Sequence, residues 1–69
     1  MRISARNVLK GKVVKLTNGA VNSEVTIALP GGLQMVSIIT RSSVKSLGLK
    51  KGKEAYAVVK ASSVMIAVD

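Results

Sequence analysis

The most constraining feature of the chain is a ten-residue stretch, Ala20 to Leu29, in which larger apolar and mostly polar side chains alternate. Turn-forming residues bound it on both sides, since Asn18-Gly19 precedes it and Pro30-Gly31-Gly32 follows it. A two-residue period predicts a β-strand with one buried face. Asn-Gly predicts a tight type I′ hairpin turn with positive φ at both residues. The stretch is therefore expected to be a strand of an antiparallel sheet.

Four further runs have β character. Asn7 to Thr17 is expected to be the first strand, and Gly11 inside it predicts a bulge or sharp bend. Leu33 to Thr40 carries apolar residues on both faces, which predicts that another subunit covers the second face. Glu54 to Lys60 and Val64 to Val68 are expected to be the fourth and fifth strands.

One short helix is predicted between the third and fourth strands. The run Thr40-Arg41-Ser42-Ser43 contains hydroxyl side chains that can serve as the N-cap. Val44 and Leu47 then form an apolar pair at i, i+3 spacing, and Gly48 is expected to end the helix. The fold class is therefore all-β, a small five-stranded OB-like Greek-key barrel. A sandwich formed only on oligomerisation is the alternative.

The size and composition predict an oligomer. At 69 residues the chain is one domain near the limit of what a single core can stabilise, and it has no Cys for disulfides and no His or Cys for zinc. Yet 48% of its residues are hydrophobic, more than so short a chain can bury. No apolar run reaches the roughly 18 residues that span a bilayer, and no signal peptide is visible, so a cytoplasmic protein without membrane contact is expected.

The charge predicts an anionic partner. Eleven Lys and Arg against three acids give a net charge of +8, which favours nucleic acid, phosphate, sulfate or a metal oxyanion without choosing among them. Most of the lysines are scattered, and those at Lys10, Lys12, Lys15 and Lys50 to Lys53 are interpreted as surface charge.

Two short segments predict an oxyanion site. Ile3-Ser4-Ala5-Arg6-Asn7 and Lys60-Ala61-Ser62-Ser63 each place a long cation beside hydroxyls and a small residue. Such a set can surround an anion with N–H and O–H donors while the backbone comes close. Neither segment holds a base or an activated nucleophile.

The whole chain resembles the molbindins, stand-alone molybdate-binding proteins with a Mop or TOBE domain. The resemblance is carried by Ser4-Ala5-Arg6-Asn7 with Leu9 and Gly11, Thr40-Arg41-Ser42-Ser43-Val44, Leu47-Gly48-Leu49 with Gly52, and Val59-Lys60-Ala61 with Val64. It implies one molbindin domain over residues 1–69, an OB-like fold and a hexamer built as a trimer of dimers. Oxyanions would lie at subunit interfaces.

The resemblance also implies site residues. One class of site would use Ser4, Ala5 and Arg6 with Lys60, Ala61 and Ser62. Thr40 and Ser43 match further anion contacts, although both could instead cap the helix, and Asn7 belongs to the motif. The family's second class of site does not map onto individual residues.

The implied function is non-catalytic binding of molybdate, and possibly tungstate, for storage and homeostasis, with no cofactor. The alternative is an OB-type single-stranded nucleic-acid-binding module, which is disfavoured because Tyr56 is the only aromatic residue on which a base could stack. An enzyme is disfavoured because no His, Cys or paired carboxylate is present for catalysis. A role as a pterin-cofactor carrier is also disfavoured, because the predicted site has no aromatic residue to pack against a pterin ring.

Overall fold

One curled antiparallel sheet makes up most of the fold in the computed structural model, which describes residues 1–69. Its strands are β1 (Asn7–Asn18), β2 (Asn22–Ala28), β3 (Gln34–Thr40) and β4 (Glu54–Val59). A helix, α1 (Arg41–Leu47), joins β3 to β4, and a 3-10 turn (Ala61–Ser63) follows β4. The strand order β3-β2-β1-β4 places the last strand beside the first, which is Greek-key topology. The predicted fold class is confirmed as an all-β half-barrel with one short helix.

The predicted fifth strand is wrong as a member of this sheet. Residues 64–68 belong to no strand, and no backbone hydrogen bond involves residues 65–69. After β4 the chain enters the 3-10 turn, in which the Ser63 N–H donates to Lys60 O at 2.8 Å and the Val64 N–H to Ala61 O at 3.2 Å. The sheet therefore has four strands, and β3 and β4 are both edges.

The irregularity in β1 lies at Val14 and not at Gly11. The register with β2 passes from Val13 opposite Ile27 to Lys15 opposite Thr26, which leaves Val14 as the extra residue of a bulge. Gly11 has a different role, because a Cβ atom there would overlap the Ile27 side chain and lie 2.5 Å from Ala28 O. Glycine at this position lets β1 and β2 approach closely where the sheet curls.

The predicted type I′ turn at Asn18-Gly19 is also wrong, because neither residue has positive φ. Asn18 remains in β1, opposite Ser23, and the Gly19 N–H donates to Asn22 O at 2.8 Å, which closes a longer loop. The reason is local: the Asn18 side chain accepts a 2.6 Å hydrogen bond from the buried Ser23 hydroxyl, which holds Asn18 in the strand.

The helix matches its prediction. Thr40 is extended, and its Oγ1 accepts a hydrogen bond from the Ser43 N–H at 3.1 Å, as an N-cap does. Gly48 ends the helix with φ of 63°. Lys53, expected to be plain surface charge, instead donates to the carbonyl oxygens of Leu47 at 2.8 Å and Gly48 at 3.2 Å. A cation at this end also complements the helix dipole.

The core is small. Four apolar residues are buried, Val13, Val25, Ile27 and Val44, and they lie between the curled sheet and one side of α1. Thr26, expected on an exposed face, is buried between its register partners Lys15 and Val36, whose larger side chains share its face. The α-helix, with seven residues, is too short to span a membrane. Only six of 69 residues are buried, so most apolar side chains are not covered within one chain.

Candidate functional site

The register of β1 and β4 brings the two predicted segments together. Asn7, the first residue of β1, pairs with Val59, the last residue of β4, in an antiparallel ladder. Residues just before Asn7 and just after Val59 therefore leave the sheet at the same end. They form a cleft of about 490 Å³, lined by Ile3, Ser4, Ala5, Arg6, Val58, Lys60, Ala61 and Ser62.

The cations of this cleft have no acidic partner. The only ion pair in the chain joins Lys10 Nζ to Glu54 Oε2 at 3.1 Å, elsewhere on the sheet. Arg6 and Lys60 are both exposed, and neither side chain makes a hydrogen bond or ion pair within the chain. None of the three acidic residues lines the cleft. The cleft therefore carries uncompensated positive charge that favours an anion.

Uncharged donors accompany the two cations. The N–H groups of Ser4, Ala5 and Arg6 precede the first strand and make no hydrogen bond within the chain. The hydroxyls of Ser4 and Ser62 are likewise without a partner. Ala5 and Ala61 are small enough to let a ligand approach the main chain. Several short donors combined with partial neutralisation suit a compact oxyanion.

Three predicted site residues lie outside the cleft. Asn7 is half-buried at the start of β1. Thr40 and Ser43 are at the N-terminus of α1, where their hydroxyl oxygens are 2.7 Å apart and the Thr40 oxygen also caps the helix. Their hydroxyls are thus engaged with each other in the isolated chain.

One lining residue carried no prediction. Val58 has its side chain on the same face of β4 as the position of Lys60, because residues two apart on a strand share a face. That spacing is the signal by which Val58 could have been found. Together with Ile3 it gives the cleft an apolar side.

A second basic region differs from the first because it contains a carboxylate. Lys10 and Lys12 line a cleft of about 340 Å³ together with Glu54. The hydrogen bond and charge of Glu54 raise the pKa of Lys10 above its ordinary value of 10.5. The carboxylate neutralises one cation and would repel a dianion. No group of His, Cys, Asp and Glu residues could hold a metal ion.

Comparisons with known proteins show which family the chain is similar to. Residues 3–66 match the family described as TOBE domain. The chain is 54% identical over 69 residues to a probable molybdenum-pterin-binding protein of Haemophilus influenzae, with each chain covered completely.

Solved structures show the same fold. MopII from Clostridium pasteurianum superposes with a TM-score of 0.93 at 52% identity, covering 97% of this chain and all of that one. ModG, a cytoplasmic molybdate-binding protein solved with molybdate bound, gives a TM-score of 0.85 at 52% identity, covering 88% of this chain and 43% of its own. These matches show that the chain belongs to the TOBE domain family, within the group of molybdenum-pterin-binding (Mop) proteins.

Proposed function

We propose that the protein binds molybdate, without catalysis, in the cleft between the N-terminal segment and the end of β4. The observation that carries the proposal is the convergence of Arg6 and Lys60, both without acidic partners, on a cleft with free N–H and O–H donors. The similarity to ModG, which was solved with molybdate bound, supports the choice of ligand. Tungstate, an oxyanion of the same charge and shape, is expected to bind as well.

The complete site is proposed to lie at a subunit interface of a hexamer arranged as a trimer of dimers. Two observations support this arrangement: the cleft is open, and most apolar side chains of the single chain are exposed. Thr40 and Ser43 do not line the cleft of their own chain, so their predicted contacts require a neighbouring subunit. Asn7 is proposed to position the motif through its pairing with Val59.

The proposed role is storage and homeostasis of molybdenum in the cytoplasm, supported by the likeness to a cytoplasmic molybdate-binding protein. Catalysis is not proposed, since the cleft offers no base or nucleophile activator. The relatives' names include pterin, but no aromatic residue lines the cleft on which a pterin ring could stack.

Calorimetric titration with molybdate tests the proposal. Arg6→Ala and Lys60→Ala should each weaken binding by about tenfold to a hundredfold, because a hydrogen bond to a charged group is worth roughly 1.5–3 kcal/mol. Lys15→Ala is the matched control, since it removes an exposed lysine of β1 away from the cleft and should leave the affinity unchanged. Wild-type affinity in both cleft variants would exclude this cleft as the site.

Single-stranded nucleic acid is the second candidate ligand, favoured by the net charge of +8 on an OB-like sheet. An oligonucleotide titrated at several salt concentrations separates the two, because binding to phosphates weakens steeply with salt. We expect tight binding of molybdate and no binding of the oligonucleotide at physiological salt.

A further inference from the structure

The proposed molybdate cleft has two chemically different sides. One side carries the cations and the hydrogen-bond donors, chiefly Arg6 and Lys60. The other side is formed by the larger apolar side chains of Ile3 and Val58, which are 52% and 41% exposed. An anion held by the donors therefore also meets hydrocarbon atoms, which exclude water from it without offering a hydrogen bond.

The donor side alone does not separate molybdate from sulfate. Both are tetrahedral dianions, and sulfate is the smaller of the two, so it can enter any cleft that admits molybdate. Arg6 and Lys60 are long, exposed and without partners in the chain, so their donors can follow a smaller ion. Selectivity against sulfate therefore has to come from another part of the cleft.

The apolar side does separate the two anions. Removing water from an ion without replacing its hydrogen bonds costs free energy, and the cost is larger for a smaller ion of equal charge. Sulfate concentrates its two charges on a smaller surface than molybdate does, so contact with hydrocarbon costs it more. Because specificity is a difference between two affinities, a surface that penalises one anion more than the other is enough to create it.

Val58 is the fixed part of the apolar side. It lies within β4, opposite Val8 of β1, and its β-branched side chain has few accessible rotamers. Lys60 follows two residues later, so the alternation of the strand carries the apolar group and the cation to the same cleft. Ile3 lies outside every strand and helix and completes the apolar side from the N-terminal segment.

We propose that Val58, assisted by Ile3, is a specificity-determining residue that makes the cleft prefer molybdate over sulfate. This inference rests on the proposed function, since it concerns the same cleft. Val58 lowers the affinity for sulfate by withholding a hydrogen bond, and not by blocking entry. Tungstate is nearly equal to molybdate in size, so the same surface does not discriminate between these two anions.

Val58→Thr tests the inference, because threonine has nearly the same shape as valine and replaces one methyl group by a hydroxyl. Calorimetric titration of the full chain in chloride at fixed ionic strength gives the affinity for molybdate, and competition by sodium sulfate gives the affinity for sulfate. The ratio of the sulfate to the molybdate dissociation constant should fall by about fivefold, which is part of the roughly tenfold or more that a full hydrogen bond to a charged group contributes. The ratio of the tungstate to the molybdate constant should not change.

Val36→Thr is the matched control. Val36 is an exposed residue of β3 that lines, together with Val58, an apolar cleft of about 210 Å³ between β3 and β4, but it does not line the oxyanion cleft. The same substitution there should leave the sulfate-to-molybdate ratio unchanged. Ile3→Thr is a second variant of the apolar side and should also lower the ratio. Because Ile3 lies outside the sheet, this variant decides the question even if Val58→Thr weakens folding.

Three results would overturn the inference. Wild-type protein that binds sulfate as tightly as molybdate has no selectivity to explain. A ratio within about twofold of wild type in both Val58→Thr and Ile3→Thr would show that the apolar side does not discriminate. An equal fall in Val36→Thr would place the effect outside the cleft. In all three cases molybdate still binds and the proposed function stands, whereas a wild-type protein that binds no molybdate would refute the proposed function and the inference together.

Discussion

At the scale of single residues, the smallest side chains determine where backbone segments meet. Ala5 and Ala61 leave the main chain of the cleft accessible, and Gly11 allows β1 and β2 to approach closely. Gly11 could be singled out from the sequence as unusual within a strand. The reason for a glycine at this position could not be predicted, because the crowding comes from Ile27 and Ala28, which lie far along the chain.

Gly11→Ala is expected to destabilise the protein by about 1–3 kcal/mol, the usual cost of overpacking. The added methyl group meets a core side chain and, at 2.5 Å, the backbone oxygen of Ala28, which cannot rotate away. Chemical denaturation measures the change. Lys51→Ala, in the exposed turn before β4, is the control and should alter the free energy of unfolding by less than about 0.5 kcal/mol. A Gly11→Ala protein as stable as wild type would show that the strands can separate without loss.

Among the charged residues, too, some roles could be predicted from neighbouring residues and others depend on distant parts of the chain. Arg6 and Lys60 could be predicted from their chemical setting and the family resemblance, and the structure places them in one cleft. The engagement of Lys53 with the end of α1 could not be predicted, because it depends on where the helix ends relative to the following loop.

At the scale of elements, patterns with a clear period were predictable. The alternation in β2, and the cap and terminal glycine of α1, each predict a structure from neighbouring residues alone. The Asn18-Gly19 turn was mispredicted because a hydrogen bond from Ser23, five residues along the chain, competes with the turn preference of the Asn-Gly pair. The fifth strand was mispredicted because an apolar run alone does not make a strand: a strand also needs a neighbouring strand, and residues 64–68 have none within the chain.

The cap of α1 gives a prediction at this scale. Thr40→Ala removes the oxygen that accepts from the Ser43 N–H and should lower the free energy of unfolding by about 1 kcal/mol. Thermal unfolding in the absence of molybdate measures this effect separately from any ligand. Thr40→Ser keeps the oxygen and is the matched control, with stability close to wild type. Equal losses in both variants would mean that the threonine methyl group, and not the cap, is responsible.

At the scale of the whole molecule, the single chain leaves much of its apolar surface uncovered. Its core has four buried apolar residues, while both edges of the sheet are unpaired and the apolar residues 64–68 at the C-terminus are exposed. Its positive charge is largely unpaired, with one ion pair for eleven cations. Assembly would cover the apolar surface, and anion binding would offset part of the charge, so the two events are physically suited to occur together.

The response to pH is a property of the whole chain, because it follows from residue types that are absent. With no His and no Cys, no side chain has an ordinary pKa between about 5 and 9. The Lys10–Glu54 pair does not change this. Since the pKa of Lys10 is raised above 10.5, its stabilising contribution is complete below that pH and is lost only as the pH rises through the raised value.

Molybdate affinity should therefore be nearly constant from about pH 6 to 8.5 at fixed ionic strength. Arginine stays charged across this range, and hydroxyl and backbone donors do not titrate in it. Calorimetric titrations at three pH values measure the affinity, and an N-terminally acetylated sample is the control because α-amino groups in general titrate in this range. A tenfold fall that persists after acetylation would mean that a cation in the cleft loses its proton near neutral pH. A constant affinity would mean that release of molybdate depends on dilution of the free anion or on a partner protein, and not on acidity.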